Sequence, residues 1–118
     1  ILGATGTRMD HTITNIGNMK VVADCGKDCH IVDEHNYIYL LSEADGIHII
    51  RKDSQYGRYV SIIPMSENVS LSLEGFKYTL DNYELKQGLS ICQSNEVEDE
   101  QGIIKVHKGL IIVLETKD

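Results

Sequence analysis

A chain of 118 residues, 42% apolar and 25% charged, has room for one hydrophobic core and enough aliphatic material to fill it. A formal charge of −7, with eleven Lys and Arg spread thinly, excludes a surface that tracks nucleic-acid phosphates or an anionic membrane, since both need clustered cations. No run of eighteen apolar residues offers a transmembrane helix, and no basic-then-apolar leader opens the chain.

Residues 1–10 are glycine-rich and aperiodic and read as a flexible N-terminal arm. Residues 11–118 read as a single β domain. From His11 onward, short runs rich in Ile, Val, Leu and Tyr alternate with Gly, Asn, Asp and Ser. The runs fall at 11–16, 19–24, 37–42, 47–52, 58–64, 69–73, 76–80, 89–93, 103–108 and 110–115. Val69, Leu71 and Leu73 share one face of their run, and Ser70 and Ser72 the other. Asp45-Gly46 is a hairpin-type step. Lys108-Gly109 is either a tight turn or a bulge. No window of helical length carries apolar residues at 3.6-residue spacing, and the best helical candidate, 80–86, is short. The pattern predicts an all-β, antiparallel sandwich or barrel, jelly-roll-like or Greek-key, of about eight to ten strands.

Two segments break the rhythm. The first, 25–36, places Cys25, Cys29, His30 and His35 within eleven residues. Thiolates and imidazoles are zinc ligands, so these four are the candidate metal site. The spacing argues for the plainer reading of a polar loop. Three residues separate the cysteines, and an extended backbone sends Cys29 and His30 to opposite sides. The second segment, 94–102, carries Glu96, Glu98, Asp99 and Glu100 and reads as a solvated acidic loop.

Gly3-Ala4-Thr5-Gly6-Thr7-Arg8 lacks the lysine, the spacing and the flanking elements of a phosphate loop. His48 and His107 lie within strand runs and are expected on solvent faces. Tyr37, Tyr39, Tyr56 and Tyr59 are the candidate interface residues, because tyrosine adds contact area with little entropy loss. With Cys25, Cys29 and Cys92, an odd count leaves one thiol unpaired and favours a reducing, cytoplasmic compartment or a viral particle. Residues 27–33, with Val69-Ser70-Leu71, faintly resemble the nucleoplasmin core over too few residues to assign a family.

No catalytic constellation emerges. The sequence therefore predicts a non-enzymatic structural or interaction module without a cofactor. It would self-associate and serve as a subunit or accessory protein of a larger, viral or phage, assembly. The alternative is a small-ligand or zinc-binding β-barrel built on the 25–35 loop. A Cys29–His nucleophilic pair is the remaining reading.

Overall fold

The computed structural model describes residues 30–86 and 92–117. Nine strands run through them: β1 (His30–Val32), β2 (Asn36–Ser42), β3 (Ile47–Arg51), β4 (Tyr59–Pro64), β5 (Val69–Glu74), β6 (Leu80–Leu85), β7 (Asn95–Glu96), β8 (Gln101–Lys108) and β9 (Leu110–Thr116). A single 3-10 turn, Glu43–Asp45, lies between β2 and β3. All pairings are antiparallel. One sheet has the order β1-β2-β9-β4-β7, and the other β3-β8-β5-β6. The predicted all-β antiparallel architecture is present, in its sandwich form. The expected arm at 1–10, the expected strands at 11–16 and 19–24 and most of the one at 89–93 lie outside the described residues.

Alternation builds the core as expected. Val69, Leu71 and Leu73 point inward from β5, and meet Ile104 and Val106 of β8 and Ile111 and Val113 of β9. These side chains are lost to solvent entirely or nearly so, and such burial is the main favourable contribution to folding. In β9, Ile111, Ile112 and Val113 are buried in succession. Both faces of the sheet are covered there: Ile112 joins Ile31 and Ile38 in a separate apolar cluster.

Gly109 settles the ambiguity at the end of the chain. β8 belongs to one sheet and β9 to the other, so residues 108–110 form a corner. Gly109 has φ +91°, and a Cβ there would stand 2.9 Å from both Ser66 Oγ and Val69 Cγ2. Only glycine fits that turn.

Several elements depart from the sequence reading, the first being β1, which lies in the segment 25–36 read as a loop. The expected strand at 76–80 starts four residues later, as β6. Gly75 (φ +74°) turns the chain, and Phe76 makes a single bridge to Val97 while its ring fills the core. Residues 80–86, the best helical candidate, are therefore mostly strand. A bulge with Asn82 at φ 44° obscures the alternation, and Ser72 Oγ accepts its N–H at 2.8 Å. Finally, the acidic loop contains β7. Asn95 pairs with Val60, and Glu96 with Tyr59.

Candidate functional site

Two clefts open among the described residues. The first, of about 560 Å³, lies where the 76–80 segment passes β7, and Leu73, Tyr78, Thr79, Leu80, Gln93 and Asn95 line it. That volume suits a small-molecule site. Asn95 organises this wall. Its side chain is buried, its Oδ1 accepts from Tyr78 N at 3.0 Å, and its Nδ2 donates to Tyr78 O at 2.8 Å. The same Oδ1 accepts from Glu96 N at 2.9 Å. A buried amide that satisfies both main-chain groups of one residue fixes that residue's position. Tyr78 itself is 57% exposed, so its ring stands free of the core on a rigid backbone.

Charge borders this cleft. Lys77 Nζ lies 5.6 Å from the centre of the Tyr78 ring and 4.0 Å from Glu96 Oε2. Arg58 Nε donates to Glu96 Oε1 at 2.5 Å. This hydrogen bond holds the Glu96 carboxyl below its usual range. Behind the wall, burial pushes the Cys92 thiol up to about 11, which leaves it protonated and inert.

The second cleft, of about 490 Å³, opens along β3, with Tyr37, His48, Gln55, Tyr56 and Glu115 in its lining. Its aromatic side is a run of rings from neighbouring strands. His30 stacks on Tyr37 at 5.4 Å, Tyr37 meets Tyr39 at 5.0 Å, and Tyr39 meets His48 at 5.0 Å. Tyr37 OH lies 2.6 Å from His30 Nδ1, and Tyr39 OH lies 2.9 Å from His48 Nε2. Burial, and then the nearby Glu115, drive the Tyr39 phenol far above its ordinary value. Desolvation lowers the His48 pKa against the opposing pull of Glu115 and Asp45, so His48 is neutral near pH 7.

The candidate metal residues are placed as follows. Cys25 and Cys29 lie outside the described residues. His30 belongs to the aromatic run, and the exposed His35 sits 4.0 Å from Glu34 Oε2. Among the described residues, no three His, Cys, Asp or Glu side chains converge as a metal site. Of the candidate interface tyrosines, Tyr39 is buried, Tyr37 and Tyr56 are half-buried beside the second cleft, and Tyr59 pairs in β4 under Arg58. His48 is not on a free solvent face but bonds across to Tyr39.

Sequence reasoning missed Tyr78, Asn95 and Glu115. Asn95 was hidden inside what read as an acidic loop. Glu115 lies in an apolar strand run, where a charged residue reads by default as solvent-facing. The one available signal was the neighbourhood of Tyr78. An aromatic between Lys77 and Thr79, next to a Gly-Phe step, stands apart from the aliphatic strand pattern.

Comparison with known proteins identifies a family. Residues 47–111 match the description "Thiamin pyrophosphokinase, vitamin B1 binding domain". The crystal structure of thiamine pyrophosphokinase from Bacillus subtilis superposes with a TM-score of 0.90 at 34% identity, covering 100% of this chain and 55% of that one. The thiamin pyrophosphokinase structure from Geobacillus thermodenitrificans gives a TM-score of 0.85 at 32% identity, covering 99% and 53%. Thiamine pyrophosphokinase 1 of Oryza sativa subsp. japonica is 33% identical over 118 residues, 94% of this chain and 42% of the relative. The chain spans about half the length of the curated relatives it matches.

These matches overturn the expectation of a non-enzymatic subunit of a viral or phage assembly. The similar proteins are pyrophosphokinases, which are enzymes. The expectation failed because it treated the absence of a nucleophile or base as the absence of enzymatic function. A wall that positions a substrate needs neither. The expectation of no membrane span stands in this form: no helix among the described residues is long and apolar enough to cross a membrane.

Proposed function

Because the chain belongs to the thiamin pyrophosphokinase family through its vitamin B1 binding domain, we propose that it is the vitamin-holding part of an enzyme that transfers a pyrophosphoryl group to thiamin, and that the Tyr78 cleft receives the vitamin. One observation carries this reading. Every lining residue of the Tyr78 cleft falls within the matched stretch 47–111, whereas the second cleft takes Val32, Tyr37 and Glu115 from outside it.

The chemistry is suited to the ligand. Thiamin joins an aminopyrimidine to a thiazolium cation. An exposed tyrosine ring on a fixed backbone offers a face for stacking and for cation–π attraction. Thr79 and Gln93 supply hydrogen-bonding groups for the aminopyrimidine edge. In the proposed reaction the vitamin's hydroxyl oxygen attacks the β-phosphorus of a nucleoside triphosphate, and a nucleoside monophosphate leaves. The contribution of this chain is orientation, which such transfers need most.

Self-association and a reducing, cytoplasmic setting remain part of the proposal. β3 is an edge strand with Ile47 and Ile49 exposed, an apolar stripe suited to a protein partner, and Cys92 is a free, buried thiol. The test is a titration of thiamin into the chain, followed by backbone amide shifts. Shifts centred on Lys77 to Leu80 and on Asn95, weakened in Tyr78→Ala, are expected. Absent shifts, or shifts centred elsewhere, would remove the assignment of this cleft.

A further inference from the structure

The second cleft is not explained by a vitamin site at Tyr78. It combines three features that occur together in receptors for organic cations. The first is a carboxylate taken out of water. Glu115 is 5% exposed; its Oε1 accepts a long hydrogen bond from Tyr56 N, at 3.4 Å, and its carboxylate also accepts from the neutral Tyr39 phenol. Among the described residues, the ion pairs are His35–Glu34, Arg58–Glu96 and Lys77–Glu96, so Glu115 has no cationic partner. A buried carboxylate without a counter-charge is costly, and a bound cation relieves that cost.

The second feature is an acceptor without a donor. Gln55 Oε1, in the lining of the same cleft, is buried and makes no hydrogen bond. The third is the set of aromatic faces. Tyr37 and Tyr56 line the cleft with ring centres 5.9 Å apart. Tyr56 already attracts an ammonium, because Lys117 Nζ lies 4.5 Å from its ring centre. Arg51 borders the cleft but is exposed, where solvent screens its charge.

We propose that this cleft is a second ligand site, separate from the Tyr78 cleft, for a small organic cation of the alkylammonium class. Glu115 supplies the counter-charge, Gln55 Oε1 accepts a hydrogen bond, and Tyr37 and Tyr56 cover the cation's apolar groups. The same chemistry could come from a free alkylammonium or from the thiazolium end of a thiamin molecule.

The experiment compares two probes on the full chain by NMR. One is choline. The other is its uncharged carbon isostere, in which a tert-butyl group replaces the trimethylammonium. Saturable shifts at Tyr56 and His48 with choline, and none with the isostere, are expected. Equal response to both, or no response to choline, overturns the proposal. In Glu115→Gln the choline affinity is expected to drop by about tenfold or more, and an unchanged affinity also overturns it. If that variant does not fold, the isostere comparison on the unmodified chain decides alone.

Thiamin titrated into Tyr78→Ala separates the two sources. Shifts at Tyr56 assign the site to the thiazolium, and their absence beside a choline response assigns it to a free ammonium. Choline binding that disappears in Tyr78→Ala would refute the separateness of the site. Choline binding that persists while thiamin fails at Tyr78 would remove the proposed function and leave this inference standing.

Discussion

Asn95 holds Tyr78 through both main-chain groups, accepting from its N–H at 3.0 Å and donating to its carbonyl at 2.8 Å. The two residues are seventeen apart in sequence and belong to two segments that together form one wall of the Tyr78 cleft. With the Lys77 N–H to Glu96 carbonyl bond at 2.8 Å beside it, this amide fixes the aromatic wall.

Asn95→Ala orphans both Tyr78 groups and is expected to cost about 1–3 kcal/mol. It should also weaken thiamin binding beyond what the stability loss explains. Asn95→Asp keeps the acceptor but sets a carboxylate against the Tyr78 carbonyl. It should lie between wild type and alanine in neither property, and fall at or below alanine in both. Urea denaturation and thiamin titration on the same samples check this.

Gly109→Ala meets two obstacles, a positive φ and neighbours at 2.9 Å. A loss of about 1–3 kcal/mol is expected from the backbone alone. Gly46→Ala is the control, since its φ is also positive but open space surrounds it. Its smaller loss, in the same denaturation assay, isolates the contribution of the tight corner.

Core and edge positions should separate cleanly. Leu71, fully buried between the sheets, is expected to lose about 2–5 kcal/mol on Leu71→Ala. Ile47→Ala, at the exposed edge of β3, should change stability by less than about 0.5 kcal/mol. Calorimetric melting of the two variants side by side tests the difference.

His48 makes stability depend on pH. Unfolded, its imidazole titrates near 6.5; folded, desolvation lowers that value. Above 6.5 both states are neutral and the contribution of His48 is complete. As pH falls below 6.5, the unfolded chain takes up the proton first and stability declines until the folded value is passed. His48→Gln should flatten this part of the curve. Denaturant midpoints of both proteins between about pH 7.5 and about 5.5 provide the measurement.

Cys92, protonated and buried, should resist thiol reagents in the folded chain and react in urea. Mass spectrometry of the modified peptides distinguishes it from Cys25 and Cys29. Rapid labelling of Cys92 in native buffer would show that the β7 side of the sandwich opens readily.

The strands were legible where the side-chain period was unbroken. In β5, alternation of aliphatic and polar residues placed both the strand and its inward face, and in β8 and β9 the aliphatic run placed the strand. Legibility failed where a backbone event reset the period. Gly75 turns the chain before Phe76, and the bulge at Asn82 hides β6. The sites were less legible still. Asn95 and Tyr78 matter through a contact between distant segments, and Glu115 through burial that a two-residue period does not report. No local pattern marks either. The metal reading of Cys25, Cys29, His30 and His35 rested on proximity in sequence alone, and Cys25 and Cys29 lie outside the described residues.

The corner at Gly109 has a consequence for how the chain assembles. β9 is the partner that β2 and β4 share, and β8 is the partner that β3 and β5 share. On a ribosome, β3 would emerge with nothing to pair with, and β2 and β4 would each wait with one side open. Only when residues 101–116 leave the exit tunnel can either sheet close, and the two then close together around a single glycine. Folding of this domain thus waits in its decisive step for residues 101–116 and is dominated by contacts between distant parts of the chain. A chaperone that shields bare strand edges would act on β3 and on the open sides of β2 and β4.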